Sequence, residues 1–300
     1  MADISLTAGM RSNLLSLQNT NTLVNRTQDR LSSGKKVNSA LDNPTNFFAA
    51  QSHNNRATDL TNRKDGMSEA IQGIKAADAG ITAISSLIAA AKGVAQSALA
   101  TASMTERASY AVTYNTLMTQ ITQLSSDAGY RGTNFLNRDN LTVEFAPTTN
   151  GATLQVKGFT ATNSGLSIGK VGIVGHGQTA KTADLSTVPK TSLQVTTEWD
   201  NSVTSTAANA IRSSSKQLEN ALSTLRTKSS ELSANLSVIT VRQDFTDKLI
   251  NTLQSGADNL TLADSNEEGA NMLMLQTRQS LGITSLSMAS QAAQAVLRLF

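Results

Sequence analysis

The sequence predicts a mainly α fold: a long antiparallel helical hairpin, packed as a coiled-coil bundle from both termini, with a small β-containing insert in the middle. Three observations carry this. Apolar and small residues recur at alternating three- and four-residue steps near both ends of the 300 residues, the 3.5-residue period of helices that wind around partners. The same period returns over residues 211–239, where seven of nine seam positions are Leu or Ile. Between these arms, over residues 141–201, it gives way to the two-residue alternation of strands. Composition agrees, because with 4% aromatic and 16% charged residues the chain suits slim helices packed side by side better than a thick globular core.

The first helix is expected over residues 12–32. Its stripe is Met10, Leu14, Leu17, Asn21, Val24, Gln28 and Leu31, and Ser33 and Gly34 end it, since Gly commonly terminates helices. Residues 35–46, with Pro44 and several Asn and Ser, read as an irregular connector. A second helix over 47–102 carries Met67, Ile71, Ile74, Asp78, Ile81, Ser85, Ile88, Ala91, Ala95 and Ala98. Gly66, Gly73 and Gly80 fall seven apart on it. Each helical Gly costs about 1 kcal/mol relative to Ala, so their register predicts a groove that lets another helix come close. A third helix over 105–128 presents Tyr110, Tyr114, Leu117, Ile121, Leu124 and Ala128 before Gly129 and Gly132 break it.

The insert opens with alternation over 141–145 and 154–157 around Asn150 and Gly151, the strongest short signal of a hairpin turn. A glycine-rich stretch over 165–177 and a strand-like stretch over 192–197 complete it. Helix resumes at 202 with the cleanest seam: Ile211, Ser215, Leu218, Leu222, Leu225, Ser229, Leu232, Leu236 and Ile239. Four heptads of this kind call for antiparallel partners, supplied by the two helices before the insert. The last helix is expected from about 260, with Ile283, Leu286, Ser290, Ala293, Leu297 and Phe300 on its stripe. Ser265 and Glu268 have capping-box spacing and would start a helix there instead. A periodic apolar stripe reaching the last residue, where chains usually fray, implies assembly.

Chemistry-bearing constellations are missing. A net charge of +3 with no basic block beyond Lys35 and Lys36 argues against nucleic acid or an anionic membrane. Cysteine is absent, which excludes disulfides and thiol catalysis and fits a chain exported unfolded. No basic segment precedes an apolar one at the N-terminus, as a cleavable signal peptide would require, and no run reaches the ~18 apolar residues that span a bilayer. His53 reads as a solvated or packed helix residue, and His176, between Gly175 and Gly177, as an exposed turn; neither has a second metal ligand at helical spacing. Neither phosphate-binding glycine motif occurs. Glu267 and Glu268 are adjacent, so they diverge around a helix rather than converge on a substrate, and at a helix start they favour its dipole. Trp199 reads as core rather than as a ligand anchor. The expectation is no catalytic residue, no metal, no cofactor and no membrane insertion.

The segment Arg30, Leu31, Ser32, Ser33, Gly34, followed by Lys36, Val37, Asn38, Ala40 and Asp42, resembles the R-L-S-S-G-x-K/R-I/V-N-x-A-x-D stretch of bacterial flagellins. Residues 263–268, 275–279 and 291–297 are similar to the matching C-terminal end of that family. The commonest family pattern has Asp-Asp-Ala-Ala-Gly where this chain has Asp42, Asn43 and Pro44, a version resembling alphaproteobacterial flagellins. The resemblance implies a filament subunit that polymerises into the helical propeller for swimming, with inner-core helices at 1–46 and 259–300. It implies an outer-core bundle at 47–140 and 202–258, and a surface-exposed variable domain at 141–201. It also implies type III export, a location in the extracellular flagellum, and four kinds of partner: further copies of the chain, an export chaperone covering the C-terminal helix, the filament cap and hook-associated junction proteins. Alternatives are a hook–filament junction protein or a flagellin-like surface binding protein, the latter disfavoured because the insert offers only Phe145, Phe159 and Trp199 as aromatics. Flagellins detected by the animal Toll-like receptor carry an L-Q-R-V-R-E-L segment. Here Ala89 stands where the contacting Arg would be and Gly93 where the Leu would be, so weak or absent signalling is expected. Ser and Thr residues of the insert are candidate acceptors of O-linked sugars.

Overall fold

The computed structural model describes residues 8–147, 151–172, 199–200 and 204–297. Five helices and one two-stranded sheet follow in the order α1 (Ala8–Ser33), α2 (Pro44–Ala100), α3 (Met104–Asp127), β1 (Leu141–Glu144), β2 (Thr153–Val156), α4 (Thr204–Thr261) and α5 (Ser265–Leu297). The chain divides into two compact units, one of Met1–Thr58 with Leu249–Phe300 and one of Asp59–Lys248.

The central unit, Asp59–Lys248, owns the hydrophobic core. α2 and α4 run antiparallel within it, as successive cross-links show: Lys64 Nζ to Asp247 Oδ1 at 2.7 Å, Gln243 Nε2 to Ser68 Oγ at 2.8 Å, Ser229 Oγ to Asp78 Oδ1 at 2.7 Å and Lys92 Nζ to Glu219 Oε1 at 2.7 Å. Asp247 holds the Lys64 ammonium above its usual range, and Lys92 holds the Glu219 carboxyl below its own. Both pairs are solvent-accessible, so they set register more than stability. Beneath them Ile211, Leu218, Leu225, Leu232 and Ile239, seven apart, are buried, with Leu222 and Leu236 at the flank. Facing positions on α2 are Met67, Ala70, Ile74, Ala77, Ile81, Ile84, Ile88, Ala91, Ala95 and Ala98, all buried, while Ile71 is partly so. This arc is wider than a two-helix stripe because α3 and the segment after it also press on α2.

α3 starts at an N-cap Ser103, whose side chain accepts from Glu106 N. Its buried face is Arg107, Ala111, Tyr114, Met118, Ile121 and Ser125. The expected stripe shares Tyr114 and Ile121 with that face, whereas Tyr110, Leu117 and Leu124 lie partly buried on its border. The glycine groove of α2 is filled, but not by a helix. A Cβ on Gly73 would sit 3.2 Å from Phe135 Cε2, and one on Gly80 would sit 2.7 Å from Leu136 Cδ1 and 2.9 Å from Ala128 Cβ; Gly66 meets nothing. The turn after α3 thus seats two large side chains where α2 has none.

The hairpin pairs Leu141 with Val156 through Glu144 with Thr153, and its inner residues Val143, Phe145 and Val156 join the core. Asn150 of its turn, His176, the 192–197 stretch and residues 173–177 of the glycine-rich stretch lie outside the described residues. Trp199 is fully buried, its ring centroid 4.9 Å from that of Tyr114, and Nε1 donates to Ser214 Oγ at 3.4 Å. Burial pushes the Tyr114 hydroxyl up. Buried Arg107 donates to the Trp199 carbonyl at 3.0 Å and to the Thr101 and Ala102 carbonyls at 3.2 and 3.1 Å. It ties the end of the insert to the C-terminus of α2, where the helix dipole favours a cation. By length and composition α2 is apolar enough to cross a bilayer, and 39% of its most apolar stretch is buried.

Candidate assembly interface

In the other unit the two terminal helices meet. α1 and α5 pack antiparallel, with Asn13 Nδ2 donating to Ser285 Oγ at 3.4 Å, Leu17 lying over Gly282, and Arg30 paired with Glu268. A Cβ on Gly282 would come within 3.1 Å of Leu17 Cγ, so the missing side chain sets how closely the helices approach.

The seam between them mixes polar and apolar residues. On α1 its buried or half-buried positions are Met10, Asn13, Leu17, Thr20, Val24, Thr27 and Arg30. On α5, Glu268 and Leu275 are buried, and Gln279, Gly282 and Leu286 half-buried. Of the predicted assembly residues, Met10, Leu17, Val24 and Leu286 therefore lie in the seam. Leu14, Leu31 and Ile283 are exposed instead, as are Leu15, Leu23, Leu273, Met274, Leu281 and Met288. The predicted stripe straddled two faces, because a 3.5-residue period does not distinguish a seam from the positions one residue away. Phe300 and the side chains of Ala293 and Leu297 fall outside the described residues.

Where α1 ends, a clasp joins the two termini. Gly34 adopts a positive φ of 67°, which reverses the chain after Ser33. Lys36 N donates to the Thr261 carbonyl at 2.8 Å, Val37 N to the same oxygen at 3.3 Å, and Ala263 N to the Gly34 carbonyl at 3.0 Å. The Arg30–Glu268 pair, at 2.9 Å, closes it from the helix side. Glu268 is buried, and its Oε2 has no hydrogen-bond partner among the described residues. The final helix starts at Ser265, not near 260, and its cap is Asp264, whose Oδ1 accepts from Asn266 N at 2.8 Å. Glu268 is thereby free to reach Arg30 rather than closing a capping box with Ser265.

The family motif supplies the rest of the clasp. Ser32 donates to the Asp29 carbonyl, and Asn38 Nδ2 donates to Ser33 Oγ at 2.9 Å. Asp42 Oδ2 accepts from Asn38 N at 3.1 Å, Ser39 N at 3.0 Å and Ser39 Oγ at 3.2 Å. The Asn38 amide leads in holding the Asp42 carboxyl below its usual range, followed by the Ser39 amide. Asn43 Oδ1 accepts from Asn46 N at 3.1 Å, with Pro44 at the first position of α2. The Asn-Pro variant is thus a built N-terminus, an N-cap followed by the one residue pre-set for the first helical position. The resemblance pairs the terminal helices, but which residues of the two motifs touch is not legible in the sequence; spacing along the chain carries no signal for a contact across more than two hundred residues.

Ala89 and Gly93 are both exposed on α2, and a side chain on Gly93 would meet nothing within 4 Å. Among the described residues no group of acidic, His or Cys side chains is placed to hold a metal.

A family model of the bacterial flagellin N-terminal helical region matches residues 4–140. Flagellin FljO of Caulobacter vibrioides is 29% identical over 96% of this chain and 95% of its own. A flagellin of Brucella melitensis is 26% identical over 100% of this chain and 99% of its own. Flagellin B of Rhizobium meliloti strain 1021 is 45% identical over a shorter stretch, 21% of this chain and 16% of its own. Among solved structures, Bacillus cereus flagellin covers 66% of this chain and 93% of its own at 14% identity and a TM-score of 0.41, too loose a likeness to add to the assignment. With relatives aligned end to end and the two terminal motifs joined in one clasp, the chain is similar over nearly its whole length to bacterial flagellins and matches their N-terminal helical region.

Proposed function

We propose that the outward faces of α1 and α5 are the surface through which this subunit polymerises. One observation carries it: of 17 exposed large apolar side chains among the described residues, 12 lie in the terminal unit. Leu14, Leu15, Leu23 and Leu31 on α1, with Leu273, Met274, Leu281, Ile283 and Met288 on α5, are exposed outside the seam. Exposed apolar area on this scale marks an interaction surface, and neighbouring copies in a filament cover it. Ordering of these helices is then coupled to assembly, as for segments that bury too little alone. The test is seeded polymerisation of purified subunit viewed by electron microscopy. The full chain should give long filaments and a truncation lacking residues 283–300 none. Full-length protein that stays monomeric on seeds would refute the reading.

Export through the flagellar type III apparatus, a chaperone shielding α5 before assembly, and contacts with the filament cap and hook-associated proteins belong to the same proposal. The exposed α5 face supports it, since an uncovered periodic apolar face associates indiscriminately. The role is mechanical, with no catalysis of its own. Ala89 and Gly93 leave the exposed face of α2 without the Arg and Leu of receptor-activating relatives, so Toll-like receptor signalling is weak or absent. A reporter cell line responding to sub-nanomolar subunit would overturn that.

A further inference from the structure

Leu41 is 96% exposed, the most exposed large apolar side chain among the described residues. Its surroundings are ordered by many bonds. Asp42 accepts three hydrogen bonds from Asn38 and Ser39, Asp42 N donates to the Ser39 carbonyl at 3.2 Å, and Leu41 N donates to Ser39 Oγ at 3.3 Å. On the far side Asn43 caps α2. A lone exposed leucine on a loose loop needs no explanation, but one raised on a turn fixed from both sides meets a partner with little ordering cost.

Further large apolar side chains are exposed on the segments that flank this turn in the chain or bridge to it. Leu31 is exposed just before the clasp, Leu262 is exposed in the strand-like strap opposite Lys35, and Phe48 is exposed in the first turns of α2. We infer that Leu41 is a preformed knob that inserts into a second copy of this chain in the polymer. The inference rests on the polymerisation reading above, which places copies of the chain against every subunit. The clasp then has two tasks: its backbone bonds join the termini, and its turn presents the knob.

The test uses the full chain. Leu41→Ser should raise the critical concentration for seeded polymerisation at least about tenfold, the factor that corresponds to burying one leucine side chain. Leu41→Met, which keeps apolar volume, should polymerise within about threefold of the unaltered chain. Thermal melting of the Leu41→Ser monomer should not move, since the side chain touches solvent. A second measurement uses the absence of native cysteine. In Leu41→Cys the sole thiol should react rapidly with a maleimide in the monomer and at least about tenfold more slowly in filaments, where a buried knob is shielded. Filaments of Leu41→Ser at an unchanged critical concentration, or equal thiol reactivity in both states, would overturn the contact alone. An unaltered chain that forms no filaments would overturn the polymerisation reading and the contact with it.

Discussion

The two compact units solve opposite problems with similar helices. All twelve of the largest fully buried side chains, from Trp199 and Tyr114 to Ile211, lie in the central unit, Asp59–Lys248. The terminal unit buries Met10, Val37, Ile250 and Leu275 as its larger apolar residues, and none of them completely. Its helices place Asn13, Thr20, Thr27 and Arg30 inward and most of their leucines outward. The difference teaches that one period encodes two kinds of seam. Where the inward positions are Ile and Leu, the subunit is its own partner; where Thr, Asn and Gly share them, most of the leucines beside them are left exposed.

The largest effect should come from the self-sufficient unit. Trp199→Ala removes a fully buried ring that packs at a tilt against Tyr114, and it should destabilise the central unit by about 3–5 kcal/mol in denaturant unfolding. Polymerisation would then fail only as a consequence of unfolding. The contrasting pair, Leu14→Asp with Ile283→Asp, should abolish filaments while changing the unfolding free energy of the monomer by about 0.5 kcal/mol or less, as exposed substitutions do. Loss of monomer stability in that double variant would mean these two side chains serve the subunit rather than the polymer.

Two further changes sharpen the account at the clasp. Arg30→Met strands the buried Glu268 carboxylate and should loosen the α1–α5 pairing by about 1–3 kcal/mol. Replacing both residues by Met and Leu should recover part of it, because the desolvation cost disappears with the charges. Gly34→Ala forces a side chain into the left-handed region and should cost about 1–2 kcal/mol, read as faster amide exchange at Lys36 and Ala263.

The smallest effect is that of pH. Because the amides of Asn38 and Ser39 lower the folded pKa of Asp42, the turn's stabilisation is complete above the ordinary carboxylate range near pH 4 and declines as pH falls through the lowered value. Exchange at Asn38 and Ser39 should therefore rise in acid before the central helices respond. An Asp42 titration at the ordinary carboxylate value in the folded subunit would contradict the turn geometry.

Periodicity alone was enough to read the helical arms, the hairpin and the α4 seam, because Ile211, Leu218, Leu225, Leu232 and Ile239 repeat without interruption. What it left unread were features set by tertiary neighbours. The sequence marks Gly73 and Gly80 as a groove, but only the fold shows that Phe135 and Leu136 of a turn fill it. Arg107 looks like any surface arginine until the carbonyls of Thr101, Ala102 and Trp199 converge on it. At the N-terminus the period puts Leu14, Leu17 and Leu31 on one stripe, whereas in the fold Leu17 enters the seam and Leu14 and Leu31 are exposed. The family motif was legible from Arg30 to Asp42, yet its physical task emerged only when Glu268 and Thr261 arrived from the other end of the chain.

Amide hydrogen exchange of the free subunit and of its filaments, mapped by peptide, tests the central contrast most directly. The account predicts strong protection of α2, α3 and α4 between residues 59 and 248 in both states. It predicts weak protection of α1 and α5 in the free subunit and strong protection in the filament. Terminal helices protected as well as the central ones before polymerisation would show that the α1–α5 seam suffices alone, and the division between a self-partnered and a partner-seeking unit would fall.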